Sequence, residues 1–228
     1  GSFGGSAGPP RSARPRDQEA AGAPGDGPGG PVATGVPPMA RMGADKYGKL
    51  GDLAYHRMDK VNADLLALTY GSLVTQLLRD IEDVDAVNVQ LEKMGYNIGL
   101  RLVDEFLAKS GVSACQDFRD TAEVIAKVGL KMFLGVPAEV VMWNRDLTAC
   151  SLVLPENPLA EYVELPPSMT NRLWYSNLIC GVIRGSLEQL QLKVECKFQK
   201  DVLNGDEHSL IRLELKEVMR EDYGDDDD

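Results

Sequence analysis

Val84–Lys109, VDAVNVQLEKMGYNIGLRLVDEFLAK, repeats apolar residues at three- and four-residue spacing, which predicts an amphipathic helix. The residues of that apolar face are Val84, Val87, Leu91, Met94, Ile98, Leu102 and Phe106. Gly95 and Gly99 are four residues apart and therefore lie on one side of this helix. Each glycine costs a helix up to about 1 kcal/mol relative to alanine. We therefore expect the two glycines to permit close approach of another helix or of a ligand.

Further helices are predicted on both sides of this stretch, again from apolar residues at helical spacing. They are Ala63–Ile81 with Asn62 as its N-cap, a third helix from about Asp117 to Gly135, and a long helix from about Ser176 to Leu203 that Asn204-Gly205 closes.

Strands are predicted where the apolar pattern changes to a period of two. They are Val140–Trp143 and Leu147–Leu154 around the turn Asn144-Arg145-Asp146, an extended stretch Ala160–Leu165, and Leu210–Val218. Helices that are segregated from such strands in sequence indicate an α+β domain. We expect the helices to pack on one side of a roughly four-stranded antiparallel sheet.

Composition limits the classes of function. The net charge of −11 argues against nucleic-acid binding, because phosphate contacts require clustered Lys and Arg. No apolar stretch approaches the ~18 residues of a membrane span, and no signal peptide is recognised before the core. We expect one soluble domain with a tail at each end.

The domain boundaries follow from changes in composition. Residues 1–59 are predicted to be a disordered tail and linker, because this segment is rich in Gly, Pro and Ala and has few large apolar residues. Residues 60–219 form the domain. Residues 220–228 are predicted to be a solvated acidic tail.

The cysteines and histidines exclude several kinds of site. The four cysteines show no C-x-x-C spacing, and the chain has only two histidines, His56 and His208. A zinc site or a Cys-His catalytic pair is therefore not expected, and we assign no metal ligand and no catalytic residue. The cysteines are interpreted as reduced thiols of a cytosolic protein.

Cys115 differs from the other cysteines in its surroundings. It lies in the polar stretch Ser110–Asp117, SGVSACQD, directly before the third predicted helix. The positive end of a helix dipole favours a thiolate, so Cys115 is a candidate nucleophile. The alternative is that Cys115 is a small buried hydrophobe.

Three long segments closely resemble the small-subunit family of the transport protein particle, TRAPP, and above all its Bet-three branch. They are Leu68–Asp80 (LTYGSLVTQLLRD), Lys93–Val136 (KMGYNIGLRLVDEFLAKSGVSACQDFRDTAEVIAKVGLKMFLGV) and Ser176–Leu190 (SNLICGVIRGSLEQL). The resemblance covers roughly residues 61–218 and leaves out both tails.

The resemblance implies a non-catalytic subunit of a vesicle-tethering complex that acts between the endoplasmic reticulum and the Golgi. It also implies a palmitoyl thioester buried in an apolar tunnel, and Cys115 matches the attachment site. The residues that match the tunnel-lining helix are small, as an acyl chain beside a helix requires: Ala122, Ala126 and Gly129. Ala114 and Gln116 stand where relatives often have a basic residue and a histidine, so no adjacent cation supports a thiolate.

The resemblance further implies guanine-nucleotide exchange on a Rab-type GTPase by the assembled complex. The C-terminal segment of relatives reaches toward the nucleotide pocket, and the matching residues here are Glu221, Asp222 and Tyr223. Heterodimers with other TRAPP small subunits, and a homodimer in isolation, are the expected assemblies. Leu65, Leu68 and Leu78 remain after the core face of their helix is assigned, which agrees with a partner contact. The location implied is the cytosolic face of the endoplasmic reticulum and cis-Golgi, with peripheral membrane association through the complex.

Two alternatives stay open at this point. One is a stand-alone lipid-binding module of the same fold that uses the tunnel reversibly. The other is a thiol enzyme with Cys115 as the nucleophile of acyl transfer, which lacks a nearby histidine base.

Overall fold

A computed structural model describes the backbone of residues 38–219 and the side chains of residues 46–219. The helices are α1 (Pro38–Arg57), α2 (Ala63–Asp80), α3 (Val84–Lys109), α4 (Phe118–Val124), α5 (Leu130–Leu134) and α6 (Asn177–Gln189). The strands are β1 (Glu139–Val141), β2 (Ala149–Leu154), β3 (Leu192–Lys200) and β4 (Ser209–Val218). Glu221, Asp222 and Tyr223, predicted to contact a GTPase, lie outside the described residues.

The predicted helices α2 and α3 are confirmed, and side-chain caps fix where they begin. The Asn62 side chain accepts a hydrogen bond from the backbone N–H of Leu65 at 2.9 Å. The Asp83 carboxylate accepts from the backbone N–H groups of Asp85 and Ala86. Each cap satisfies amides that have no partner within their own helix, so both helices begin where the sequence predicts.

Glycines on α3 and α6 place these two helices in backbone contact. A Cβ added at Gly95 would overlap the carbonyl oxygen of Leu178, and one added at Gly99 would lie 2.9 Å from the Ser186 nitrogen. On α6, a Cβ at Gly181 would lie 2.7 Å from the Tyr96 nitrogen. The expectation of close helix approach at Gly95 and Gly99 is therefore confirmed, and the partner is a second helix.

The four strands form one antiparallel sheet in the order β1-β2-β4-β3. Its buried face supplies much of the main core, whose sheet residues are Cys150, Leu152, Leu154, Val194, Cys196, Phe198, Ile211 and Leu213. Side chains of α2, α3, α4 and α6 pack in the same cluster. The α+β class with a four-stranded antiparallel sheet is thus confirmed.

The long helix predicted from Ser176 to Leu203 is wrong in its second half. α6 ends at Gln189, and Gln191 has a φ of +62° that no helix continues. From Leu192 the chain is β3, in which buried Val194, Cys196 and Phe198 alternate with more exposed residues. Asn204-Gly205 does end a helical segment, but that segment is the short 3₁₀ turn Val202–Asn204.

The extended stretch predicted at Ala160–Leu165 is not a strand. Its backbone makes two successive turns, in which Ala160 N donates to Asn157 O and Val163 N donates to Ala160 O. The fourth strand of the sheet is β3 instead. Val163 and Leu165 are apolar because they pack against the main core from a loop, which explains the strand-like pattern.

The folded domain begins before residue 60, which corrects the predicted tail and linker for part of its length. α1 ends at Arg57, and its Ala54 is fully buried against the helix that follows Cys115. Glycine and charged residues mask the amphipathic pattern of α1 in sequence. Residues 1–37 of the predicted tail lie outside the described residues.

The helix predicted from Asp117 to Gly135 is confirmed, with an irregular middle. α4, a π turn at Ile125–Gly129 and α5 follow one another without a break, and we call this continuous segment the α4–α5 unit. In the π turn the N–H of Leu130 donates to Ile125 O. The carbonyl oxygen of Ala126 is thereby left to accept from Ala138 N at 2.8 Å, just before β1.

Candidate functional site

Cys115 lies in the loop between α3 and α4, and it is the exposed cysteine of the four. Gly111, with a φ of +71°, turns the chain out of α3, and Ser110 Oγ accepts from Val112 N. The side chain of Asp117 then caps α4 by accepting from Asp120 N at 2.8 Å. This loop presents the thiol just before the α4–α5 unit, as predicted.

The surroundings of Cys115 disfavour a thiolate, contrary to the expectation from the helix dipole. Although the Cys115 side chain is exposed, the protein around it removes part of its hydration, and this desolvation raises the pKa of the thiol above its ordinary value; the carboxylates of Asp120 and Asp117 raise the pKa further. A hydrogen bond with Thr121 opposes these effects without cancelling them. The carboxylates that cap the helix therefore offset the attraction of the helix N-terminus for a negative sulfur.

The predicted tunnel-lining residues are divided between two sides of the α4–α5 unit. Ala122 and Ala126 are fully buried in the main core. Gly129 faces α3, because a Cβ added there would have the Phe106 ring as its nearest side chain, at 4.0 Å. The π turn adds one residue to the helix and rotates Gly129 relative to Ala122 and Ala126. That these residues line a tunnel stays a prediction.

A second apolar cluster, which we call the α1 seam, lies between α1 and the α4–α5 unit. Its buried residues are Ala54, Val124, Val128 and Met132, and the side chains packed around them are Tyr47, Leu50, Met58, Phe106, Val112 and Phe133. Tyr47 lies near Cys115 and Asp120, which contribute to a raised pKa of its hydroxyl after burial. The sequence reasoning missed this side of the site, although Tyr47, Leu50 and Ala54 have helical spacing.

Several apolar side chains of α2 and α3 are exposed in the described chain. Leu65 and Leu68 of α2 are 64% and 60% exposed. Leu66 is also exposed, whereas Leu78, which was expected at the same contact, packs against the main core. On α3 the exposed apolar side chains are Val89, Ile98 and Leu107. Leu65 and Leu68 are three residues apart and share one face of α2, which agrees with a partner contact there.

A cavity of about 440 Å³ lies elsewhere, between α6 and the edge strand β3. Trp174 and Phe198 stack in its wall with ring centroids 6.1 Å apart, and Arg184 pairs there with Glu92 at 2.7 Å. Neither Cys115 nor any predicted tunnel-lining residue belongs to its wall.

Among the described side chains of residues 46–219, no three His, Cys, Asp or Glu are grouped so that they could hold a metal ion. Of the helices between residues 38 and 219, none has the length and apolar character that a bilayer crossing requires.

Comparison with known proteins gives consistent matches over the folded domain. The model of the family described as "Transport protein particle (TRAPP) component" matches residues 66–214. Trafficking protein particle complex subunit 3 of Dictyostelium discoideum is 53% identical over 174 residues, which are 76% of this chain and 94% of that protein. The subunit BET3 of Saccharomyces cerevisiae is 42% identical over 168 residues, 73% of this chain and 87% of that protein.

One solved structure matches over its whole length. It is the crystal structure of a trafficking protein particle complex subunit 3 from Naegleria fowleri covalently bound to palmitic acid. It is 58% identical to this chain, covers 72% of it and 100% of the Naegleria chain, and gives a TM-score of 0.69.

Proposed function

This chain belongs to the TRAPP component family, in its Bet3 or subunit 3 branch. We propose that it is a non-catalytic core subunit of a vesicle-tethering complex and that it carries a palmitoyl chain on Cys115. Two observations together support the acyl group. Cys115 is exposed whereas Cys150, Cys180 and Cys196 are buried. The Naegleria subunit, 58% identical, holds palmitic acid covalently. A thioester at Cys115 is therefore the modification that this chain can accept.

The acyl transfer uses few groups of the protein. The Cys115 sulfur attacks the thioester carbonyl of an acyl-coenzyme A, its proton passes to solvent, and coenzyme A leaves as a thiol. Because the pKa of Cys115 is raised, the reactive thiolate is a minor species at neutral pH, and uncatalysed transfer is slow. The product thioester carries no charge. A partly desolvated site that penalises the thiolate therefore imposes no such penalty on the product.

The size of the acyl chain indicates a structural role. Burial of ~14 methylene groups at about 0.8 kcal/mol each amounts to on the order of 10 kcal/mol. That is comparable with the free energy of unfolding of an ordinary domain. A palmitoyl chain that is buried in the protein would thus stabilise the fold, whereas the same single chain in a bilayer would give only marginal membrane binding.

The exposed apolar side chains of α2 and α3 are proposed as the contact with other TRAPP small subunits. Leu65, Leu66 and Leu68 lie on α2 without a partner among the described residues. A related subunit that presents a similar helix pair would bury them, which gives a heterodimer in the complex and a homodimer in isolation.

We place the complex at the cytosolic face of the endoplasmic reticulum and cis-Golgi, where it supports nucleotide exchange on a Rab-type GTPase. The proposed contact is through Glu221, Asp222 and Tyr223. Carboxylates near a nucleotide pocket compete with phosphate for its lysine and backbone amides, which favours nucleotide release.

The acyl proposal is tested on tagged protein purified from eukaryotic cells. Intact-mass analysis should find a palmitoyl adduct that hydroxylamine removes, that is absent from Cys115→Ser and that persists in a Cys150→Ser control. Other TRAPP subunits should copurify. An unmodified Cys115 overturns the acyl proposal. A lone dimer that exchanges free fatty acid would instead support the stand-alone lipid-binding module.

The GTPase contact has its own experiment. A chain that lacks residues 221–228 is assembled into the complex, and the release of a fluorescent GDP analogue from the GTPase is measured. Slower release supports the contact, and an unchanged rate removes the C-terminal residues from the mechanism.

A further inference from the structure

We propose that the free edge of β3 is a docking site for a partner protein, which adds an extended segment to the sheet as a further antiparallel strand. The segment that fits carries one or two acidic residues, followed by apolar residues at every second position. This surface lies apart from Cys115, and the inference does not depend on acylation.

β3 is an edge strand. It pairs with β4 on one side, and none of the backbone hydrogen bonds outside the described helices and strands involves residues 192–200. Every second residue of such a strand directs its N–H and C=O away from the neighbouring strand. Within the described chain these groups have no backbone partner, so another extended chain can pair with them.

Irregularities limit the length of β3 that can pair. Its register with β4 shifts between Lys193 and Val194, and again between Phe198 and Lys200. Bulges and lysines on an edge strand discourage indiscriminate pairing. The regular stretch between the two shifts, residues 194–198, is about 14 Å long and matches a partner segment of about five residues.

The cavity of about 440 Å³ follows this same stretch, since all five residues 194–198 line it. Side chains alternate between the two faces of a strand, so a cavity on one face would be lined by every second residue only. The cavity therefore lies along the edge of β3, and we call it the β3 groove. Glu92 of α3 and Asn177 and Arg184 of α6 form part of its wall. Its volume is in the range of ligand sites in proteins.

Two aromatic rings form an apolar subsite in the β3 groove. Trp174 and Phe198 stack with an angle of 17° between their planes, and both line the groove. Trp174 is partly buried, and its indole N–H has no hydrogen-bond partner among the described residues. The rings offer contact area to an apolar side chain of the partner, and the indole N–H can donate to one of its carbonyl oxygens.

Charges in the middle of the β3 groove are already paired within the chain. Arg184 Nε lies 2.7 Å from the Glu92 carboxylate, and Lys197 pairs with Glu195. A partner segment that carried charge there would gain little, because each fixed charge already has an opposite one beside it. Apolar residues are therefore the complement of this part of the groove.

The end of the groove at the stacked rings is positive. Lys200 follows Phe198 by two residues, and Arg172 precedes Trp174 by two residues. Both side chains are exposed and have no ion-pair partner among the described residues. An antiparallel strand on β3 would begin at this end, so acidic residues at its start would meet the two cations.

The probe is a synthetic peptide obtained by selecting displayed random decapeptides on the purified full chain. We expect the selected peptides to share acidic residues ahead of alternating apolar residues and to bind with a Kd below about 100 μM. Trp174 reports the location, because the chain has two tryptophans and Trp143→Phe leaves only this one. Bound peptide should protect Trp174 from quenching by acrylamide. Trp174→Phe is the matched control, in which the quenching of Trp143 should stay unchanged.

Two lysines of β3 provide a matched pair of charge reversals. Lys200→Glu should weaken peptide binding about fivefold at low salt, because it places a negative charge beside the acidic residues. Lys193→Glu makes the same change at the other end of the strand, where Lys193 pairs with Glu217, and should leave the Kd unchanged. Both positions are exposed, and circular dichroism verifies that both variants fold.

Backbone pairing is tested on the peptide, which leaves the fold of the protein undisturbed. N-methylation removes a backbone donor, and only every second residue of an added strand directs its N–H toward β3. Methylation of one alternate set of peptide residues should raise the Kd more than about tenfold, whereas methylation of the other set should leave it nearly unchanged.

Each other outcome overturns a specific statement. If no selected peptide reaches the stated affinity, or if Trp143 is protected instead of Trp174, the docking site is wrong. Equal effects of the two methylation sets overturn the strand pairing. A larger effect of Lys193→Glu than of Lys200→Glu overturns the direction of the segment. A chain that self-associates in sedimentation with Trp174 already protected shows that a second copy fills the groove, which overturns the partner segment.

Discussion

Gly181 of α6 lies against the backbone of Glu92 on α3, since a Cβ at position 181 would overlap the Glu92 carbonyl oxygen. Gly181→Ala therefore has to push the two helices apart through the main core. We expect a loss of more than about 3 kcal/mol in the free energy of unfolding, measured by urea denaturation. Gly48→Ala is the control, because a methyl group there meets nothing within 4 Å and should be neutral or slightly stabilising. A Gly181→Ala protein as stable as wild type would contradict the close helix contact.

Substitution of Gly129 should separate acylation from folding. Gly129→Leu fills the space beside Phe106 with three further carbons beyond the methyl group that fits there, so less room remains for an acyl chain. We expect the palmitoylated fraction of Cys115 to fall about tenfold or more, while Gly129→Ala acylates like wild type. Intact mass gives the acylated fraction, and thermal unfolding of unacylated protein verifies that both variants fold. A fully acylated Gly129→Leu would place the chain elsewhere, such as beside Ala122 and Ala126.

The exposed leucines of α2 should control self-association. Leu65→Ser combined with Leu68→Ser removes two exposed apolar side chains and leaves the main core intact. We expect the dissociation constant of the dimer to rise about tenfold or more by sedimentation, with an unchanged unfolding temperature of the monomer. Val61→Ser, at an equally exposed position outside α2, is the control and should leave association unchanged. Association that survives the double substitution would move the interface away from α2.

The carboxylates near Cys115 should limit its reactivity. Desolvation is the main cause of the raised pKa of Cys115, and Asp120 adds to it. The iodoacetamide rate is therefore expected to keep rising as the pH passes the ordinary pKa of a cysteine. Asp120→Asn removes one negative charge and should accelerate alkylation at neutral pH by about twofold at low salt. Cys115→Ser gives the background. A slower reaction in Asp120→Asn would reverse the assigned sign of the charge effect.

Asp201 should make stability depend on pH. It is fully buried, and its pKa is raised first by burial, while Asp206 adds to the shift. Oδ1 contacts Leu203 N and Ser209 Oγ, whereas Oδ2 has no hydrogen-bond partner among the described residues. A raised folded pKa means that the protonated form is favoured in the native state. The contribution of Asp201 to stability is therefore fully present below its pKa in the unfolded protein. It is lost as the pH rises through the pKa of Asp201 in the native protein.

Asp201→Asn isolates this effect because it keeps an acceptor oxygen and cannot ionise. We expect wild type to lose stability relative to Asp201→Asn as the pH rises above the ordinary pKa of an aspartate, as measured by urea unfolding at several pH values. If wild type instead gains stability relative to the variant over that range, the carboxylate is stabilised in its charged form and the assignment is wrong.

Local signals in the sequence accounted for most of the helices. Asn62 and Asp117 were recognised as helix starts, and the structure shows both side chains bonded to the amides of their first turns. The glycines of α3 predicted that another helix or a ligand packs closely against them. The structure shows that this partner is α6, which is far away in sequence. Gly181 and Gly185 of α6, which lie against the backbone of Glu92 and Tyr96 on α3, were not recognised, because a glycine in a helix does not show which other helix it contacts.

The strand β3 shows where local pattern fails. Leu192, Val194, Cys196 and Phe198 alternate at a spacing of two, but they follow the helical period of α6 without a proline or glycine between. Gln191 makes the turn with a φ of +62°, a backbone conformation that a glutamine in the sequence does not predict. Pairing with β4 decides in favour of a strand, since β4 offers an unpaired edge on the side away from β2.

The sequence by itself determined the family, the α+β class, most of the helices and the position of the candidate thiol, because periodicity, caps and long motifs are local properties of the chain. The tertiary structure decided the chemistry around Cys115 and the layout of its helix. Whether the thiol is ionised depends on burial and on how close Asp117 and Asp120 come to it in space. Which residues face the α1 seam depends on the π turn, which lets Ala126 bond Ala138 and turns Gly129 toward Phe106. These are distances between separate elements, and only packing fixes them.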